Sequence, residues 1–130
     1  MKKLITIQKR NNLNEVYRMD APGAGGACHE YAVIKAGSFD PMVEDPNNED
    51  DIVAVIRFQH GPRNVEDSVH GVLDTDLLEM VRDRLIDFNK GEYATRENAL
   101  AITHIEEALL WMNKRVEDRF ERGVLGTMNK

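Results

Sequence analysis

One helical stripe constrains this chain more than any other feature. Apolar residues recur at Ala101, Ile102, Ile105, Ala108, Leu109, Met112 and Val116, with Phe120 beyond, and the pattern stops at Arg122-Gly123. With Thr95 as its cap, such a helix is about 40 Å long at about 1.5 Å per residue. A single globule of 130 residues has a radius of gyration of about 14 Å, which as a sphere is about 36 Å across. The helix is therefore expected to protrude or to find a partner.

A shorter stripe precedes it. Leu77, Leu78, Val81, Leu85 and Phe88 share one helical face, Asp74 is placed to cap it, and Asn89-Lys90-Gly91 ends it. The first half has a different period. Leu4-Ile5-Thr6-Ile7, Glu15 to Met19, His29 to Ile34 and Ile52 to Phe58 are short β-branched and aromatic runs. Asn11-Asn12, the Pro22 to Gly26 turn and the acidic stretch from Glu44 to Asp51 separate them. Connections this short favour antiparallel pairing, because a parallel pair needs a long crossover. The expected fold is α+β: a small antiparallel sheet over residues 1–70, then a helical hairpin over 74–122, within a single domain 1–130.

Composition narrows the function classes. The net charge of -6 argues against a nucleic-acid polymer or an anionic membrane as the main partner. No apolar run approaches the roughly 18 residues of a membrane span, and the basic start lacks a signal peptide's apolar stretch. One cysteine, Cys28, suits a reducing compartment. A small anionic ligand stays open, since one or two placed arginines outweigh a distant net charge at short range.

Motifs that could carry chemistry mostly read as plain structure. Gly23-Ala24-Gly25-Gly26 lacks the Gly-Lys-Ser/Thr and the helix of a P-loop, so it reads as a turn. His29, His60, His70 and His104 include no pair at metal spacing, and no metal site is expected. Cys28 and His29 are strand neighbours that point to opposite faces, so they make no dyad. The acidic run lacks the alternating order of a calcium loop and reads as a solvated connection. Lys114, Arg115, Arg119 and Arg122 alternate with Glu117, Asp118 and Glu121, as on a mixed helix surface.

The order and spacing of several segments carry a resemblance. They are Phe58-Gln59-His60-Gly61-Pro62-Arg63, His70-Gly71-Val72, Asp83-Arg84-Leu85, Arg96-Glu97-Asn98-Ala99, Ile105 to Met112 with Lys114-Arg115, and Arg122 to Thr127. Together with Ile5 to Arg10 and the glycine-rich turn, the chain resembles the first Thoeris anti-defence family of phages over nearly its whole length. The resemblance implies a non-enzymatic sponge in the cytoplasm of the infected host. It would bind glycocyclic ADP-ribose signals made by TIR enzymes and hold them intact, without a cofactor. The hairpin is similar in kind to that of phage sponges for cyclic oligonucleotides of CBASS immunity.

Carried over onto this sequence, the resemblance implies ligand contacts from Arg63, Phe88, Asn98 and Arg115. Helical spacing alone would put Phe88 in the core. Arg57 is a weaker candidate, and Arg119 and Arg122 are candidates for a second, cyclic-oligonucleotide site. Asn98 and Arg115 stand 115 − 98 = 17 residues apart, about 25 Å along one helix and about 100° around it. One small nucleotide cannot touch both in one chain. A shared pocket needs a homodimer with antiparallel long helices, and hexamers are the higher order that the resemblance implies. Two alternatives stay open: an enzyme that degrades a cyclic nucleotide, and a structural phage protein with no nucleotide ligand.

Overall fold

The computed structural model describes residues 1–38 and 49–130, so most of the acidic connection, Glu44 to Asn48, lies outside the described residues. The chain forms two compact units. One holds Met1–Gly61 with Val69–Gly71, and the other holds Pro62–Ser68 with Val72–Lys130.

The first unit is a four-stranded antiparallel meander, β1 (Lys2–Lys3), β2 (Asn14–Arg18), β3 (Glu30–Lys35) and β4 (Ile52–Arg57), in sequential order. Tyr17 pairs with Ala32, which pairs in turn with Val55. The buried core is Tyr17, Ala32 and Ile34, with Ile52 packed against it. The β2–β3 connection is closed by Asp20, whose carboxylate accepts the backbone N–H groups of His29 and Glu30 at 3.0 to 3.1 Å. Within it a short 3-10 turn, Ala24–Gly26, carries the glycines, and the His29 and His60 rings stack at 4.4 Å. After β4 a bridge joins His60 to Val69. Gly71 returns so close that a Cβ there would stand 2.5 Å from the backbone carbon of Phe58, so only glycine fits.

The expected first strand is largely absent. Only Lys2 and Lys3 pair, and Leu4 adds one bond to Val16 O at 2.8 Å, while Ile5 and Ile7 are exposed. The side chains of Thr6, Gln8, Lys9 and Asn12 bond instead to carbonyls and hydroxyls inside the segment. Local side-chain partners of this kind compete with ladder pairing.

The second unit is a helical hairpin, α1 (Asp74–Phe88) and α2 (Arg96–Glu121). Thr95 caps α2 through its Oγ1, which accepts from Asn98 N at 3.0 Å. Asp74 does not cap α1. It is the first helical residue, and Asp76 does the capping, accepting from Leu73 N at 2.8 Å. No apolar side chain of either helix is fully buried. Val81, Phe88 and Phe120, assigned to the apolar stripes, are exposed. Arg82 crosses the hairpin to Glu106, with both Nε and Nη2 within 2.9 Å of Oε2. That contact raises the pKa of the guanidinium.

Tyr17 donates its hydroxyl to Glu15 Oε2 at 2.7 Å. Burial, then the bond to Glu15 and its charge, push the phenol up to about 12. The unfolded chain deprotonates first, near pH 10 for an ordinary tyrosine at about that value. This contribution to stability is complete below about pH 10 and is lost as pH rises through about 12. In a Tyr31→Phe/Tyr93→Phe background, Tyr17 phenolate absorbance should appear near pH 12. The urea midpoint should fall over the same rise. Phenolate growing in near pH 10, at the ordinary value of about 10, would refute the buried, Glu15-bonded phenol.

Candidate functional site

The turn of the hairpin builds a cleft. Asn89 ends α1 through its N–H to Leu85 O at 3.0 Å, and its side-chain oxygen accepts Thr95 N at 3.1 Å. The connector is thereby fixed at both ends. Phe88 at the end of α1 and Tyr93 in the connector line a cleft of about 440 Å³ with Asp83, Arg84, Asp87 and Glu92. Phe88 is 48% and Tyr93 68% exposed, and the Arg84 guanidinium lies 5.6 Å from the Phe88 ring centroid. Asn98 joins this end of the hairpin, its Nδ2 donating to Tyr93 O at 3.3 Å.

The chemistry of the cleft is aromatic and acidic. Three carboxylates surround it against one arginine, and Lys90 is paired with Asp87 at 3.1 Å. An uncharged ring system can stack there, whereas a pyrophosphate would meet like charge. The cations suited to phosphate lie elsewhere. Arg63, in the loop of residues 62–68, and Arg115, on α2, are exposed and make no hydrogen bond or ion pair among the described residues.

The structure thus brings Phe88 and Asn98 to one end of the hairpin and leaves Arg115 far along the same unbroken helix from Asn98. Arg57 is exposed on β4, 3.8 Å from Glu30. Arg119 is 7% exposed, and its guanidinium donates to the carbonyls of Val124, Thr127 and Asn129. Arg122 bonds Asp118 and the carbonyl of Lys130. Sequence reading missed Tyr93, because a lone aromatic in a connector belongs to no period. Among the described residues no group of three or more His, Cys, Asp or Glu could hold a metal, and no helix is long and apolar enough to cross a membrane.

Residues 50–117 match the Acb2/Tad1 hairpin domain. A relative, Thoeris anti-defense 1 of Bacillus phage SBSphiJ7, is 40% identical over 80% of this chain and 81% of that protein. The chain belongs to the Thoeris anti-defense 1 family. The hairpin-domain match takes in Arg63, Phe88, Asn98 and Arg115, while Arg119 and Arg122 lie beyond its end. In this family member both helices of the hairpin are displayed with their aromatic side chains outward, Trp111 at 62% and Phe120 at 69% exposure as well as Phe88.

The exposure of Phe88 sets its contribution to folding. Truncating a buried phenylalanine costs about 3 to 5 kcal/mol. For Phe88→Ala a loss of about 1 kcal/mol or less is expected, because half the ring is already in water. Urea denaturation measures it, and a loss in the range of a buried ring would show that Phe88 is core after all.

Proposed function

We propose that this protein acts for a phage against Thoeris immunity by binding a glycocyclic ADP-ribose signal and holding it unaltered. The observation that carries the reading is the outward Phe88, in a cleft with Tyr93 to whose carbonyl Asn98 donates, at the hairpin turn of a chain in this family. Exposure alone does not mark Phe88, since Trp111 and Phe120 stand farther in water; its place in a cleft with Tyr93 does. A ring so placed can stack on adenine, and such stacking on nucleic-acid bases contributes about 1 to 3 kcal/mol.

In this reading Asn98 meets a base edge or ribose hydroxyl with its donor and acceptor, and Arg63 and Arg115 take the pyrophosphate through paired N–H groups. Arg115 reaches the cleft from a second copy, its helix antiparallel to the first, so that a two-fold dimer has two pockets. That arrangement puts the unpaired arginine where the acidic cleft has Arg84 alone against three carboxylates. A cyclic oligonucleotide at Arg119 would have to displace the segment folded over that side chain.

Three measurements test the proposal. Protein saturated with glycocyclic ADP-ribose, then heat-denatured, should release the ligand with unchanged mass; a cleaved product would establish an enzyme instead. Calorimetric titrations that stay flat for this ligand would favour a purely structural protein. Light scattering showing only monomer at micromolar concentration would remove the shared pocket.

Arg115→Ala should weaken ligand binding roughly tenfold to a hundredfold, the worth of a hydrogen bond to a charged group. Its effect on folding should stay within about 0.5 kcal/mol. Mixing Arg115→Ala with Asn98→Ala protein under subunit exchange should restore one intact pocket in each heterodimer. No recovery despite demonstrated exchange would reject the site between subunits.

A further inference from the structure

The second unit holds one buried charge, and it faces no carboxylate. The Arg119 guanidinium donates Nη1 to Asn129 O at 2.7 Å and Nη2 to Val124 O and Thr127 O at 3.0 and 3.2 Å. Among the described residues it makes no ion pair. A planar fork that gathers three carbonyls acts mechanically, folding the segment after α2 back on the helix. The turn out of the helix is built for this. Gly123, at φ +72°, donates to Phe120 O at 3.0 Å and Val124 donates to Arg119 O at 2.9 Å, which closes the helix end with a left-handed glycine.

The returning segment lands on the loop that carries Arg63. Gly126 O accepts Asn64 N at 3.0 Å. A Cβ on Gly126 would stand 2.5 Å from Asn64 Nδ2 and 2.9 Å from Arg63 Cγ, and its φ of +77° also requires glycine. The loop is folded internally by Val65 N to Pro62 O at 3.1 Å and Ser68 Oγ to Pro62 O at 2.5 Å. Among the described residues, the hydrogen bond that ties it to the rest of the unit is Asn64 N to Gly126 O. The Arg63 stem is thus held against backbone, while its guanidinium stays unbonded and exposed.

We propose that Arg119 is a positioning residue, folding residues 123–130 into a clasp that fixes the stem of Arg63 for ligand binding. The role in binding rests on the reading of Arg63 given above; the clasp itself does not. Holding the stem removes rotamer freedom that the ligand would otherwise have to remove, so a loosened clasp weakens binding without touching the ligand.

The test combines amide exchange of the ligand-free chain with a mutant cycle on glycocyclic ADP-ribose affinity. In Arg119→Lys, whose single ammonium cannot span three carbonyls, Asn64 N–H should lose about tenfold or more of its protection while Ile105, mid-α2, keeps its own. Unchanged protection at Asn64 overturns the clasp. Should Arg119→Lys melt α2, seen at Ile105, Gly126→Ala carries the same measurement, because it lies outside the helix.

In the cycle, Gly126→Ala should weaken binding about tenfold in the wild-type background and by less than about twofold in Arg63→Ala. Equal losses in both backgrounds overturn the positioning role. Arg63→Ala binding as tightly as the wild type overturns the assignment of Arg63, and with it the clasp's part in binding, while the exchange result still decides the clasp.

Discussion

A long helix is paired with a short one, and much else follows from that mismatch. α2 has 26 residues and α1 has 15, about 39 Å against about 22 Å of rod. One short neighbour cannot cover both the width and the length of the α2 stripe. The stripe from Ala101 to Val116 is only half-buried, and Phe120 at its far end stays 69% exposed. Off the stripe Leu110 and Trp111 stay 70% and 62% exposed, and no apolar side chain of the hairpin is fully buried. Attachment across the pair depends on half-buried leucines and isoleucines and on the Arg82–Glu106 contact. The same stiffness fixes Asn98 and Arg115 at separate stations, so no rearrangement short of breaking α2 can bring them together in one chain.

Charge is distributed in keeping with that separation. The cleft at the hairpin turn carries aromatic rings among carboxylates, whereas Arg63 and Arg115 stand unpaired elsewhere on the same unit. A ligand with an uncharged base at one end and phosphates at the other needs both environments. The net charge of -6 is no obstacle, because at physiological salt the field of distant carboxylates is screened within about 8 Å. What a pyrophosphate senses is the nearest guanidinium.

Much of this architecture was legible in the sequence. β2, β3 and β4 follow from β-branched runs with turn residues between them, and α2 from its stripe, its Thr95 cap and Gly123. Other features were hidden for identifiable reasons. Leu4 to Ile7 has strand composition, but the polar side chains around it offer the backbone local partners. Periodicity gives the angle at which Phe88 leaves α1 and says nothing of whether a neighbour extends far enough to cover it. Burial of Arg119 accompanies a return of the chain through Gly123 that packs Gly126 against Asn64, a contact between segments far apart in sequence. Arg63, Asn98 and Arg115 were singled out by resemblance, since nothing in their spacing distinguishes them from an ordinary charged helix surface and loop.

In the proposed function a signal is held intact, so each copy would act once per bound molecule and the effect would depend on affinity and copy number rather than turnover. In the proposed pocket, one copy supplies the stacking ring and the other supplies the phosphate contact. Ligand binding and association of copies are then linked, since anything that binds only the assembled form stabilises it by RT ln(1 + [L]/Kd). At a free ligand concentration of about a hundred times Kd, that term is about 2.7 kcal/mol. In the proposed dimer the half-covered apolar stripe of α2 would contribute to the same equilibrium without ligand, by removing surface from water. A helix left half covered in one chain fits a site completed by the next, because in the proposed dimer the contact that covers the helix would also bring Arg115 to the cleft.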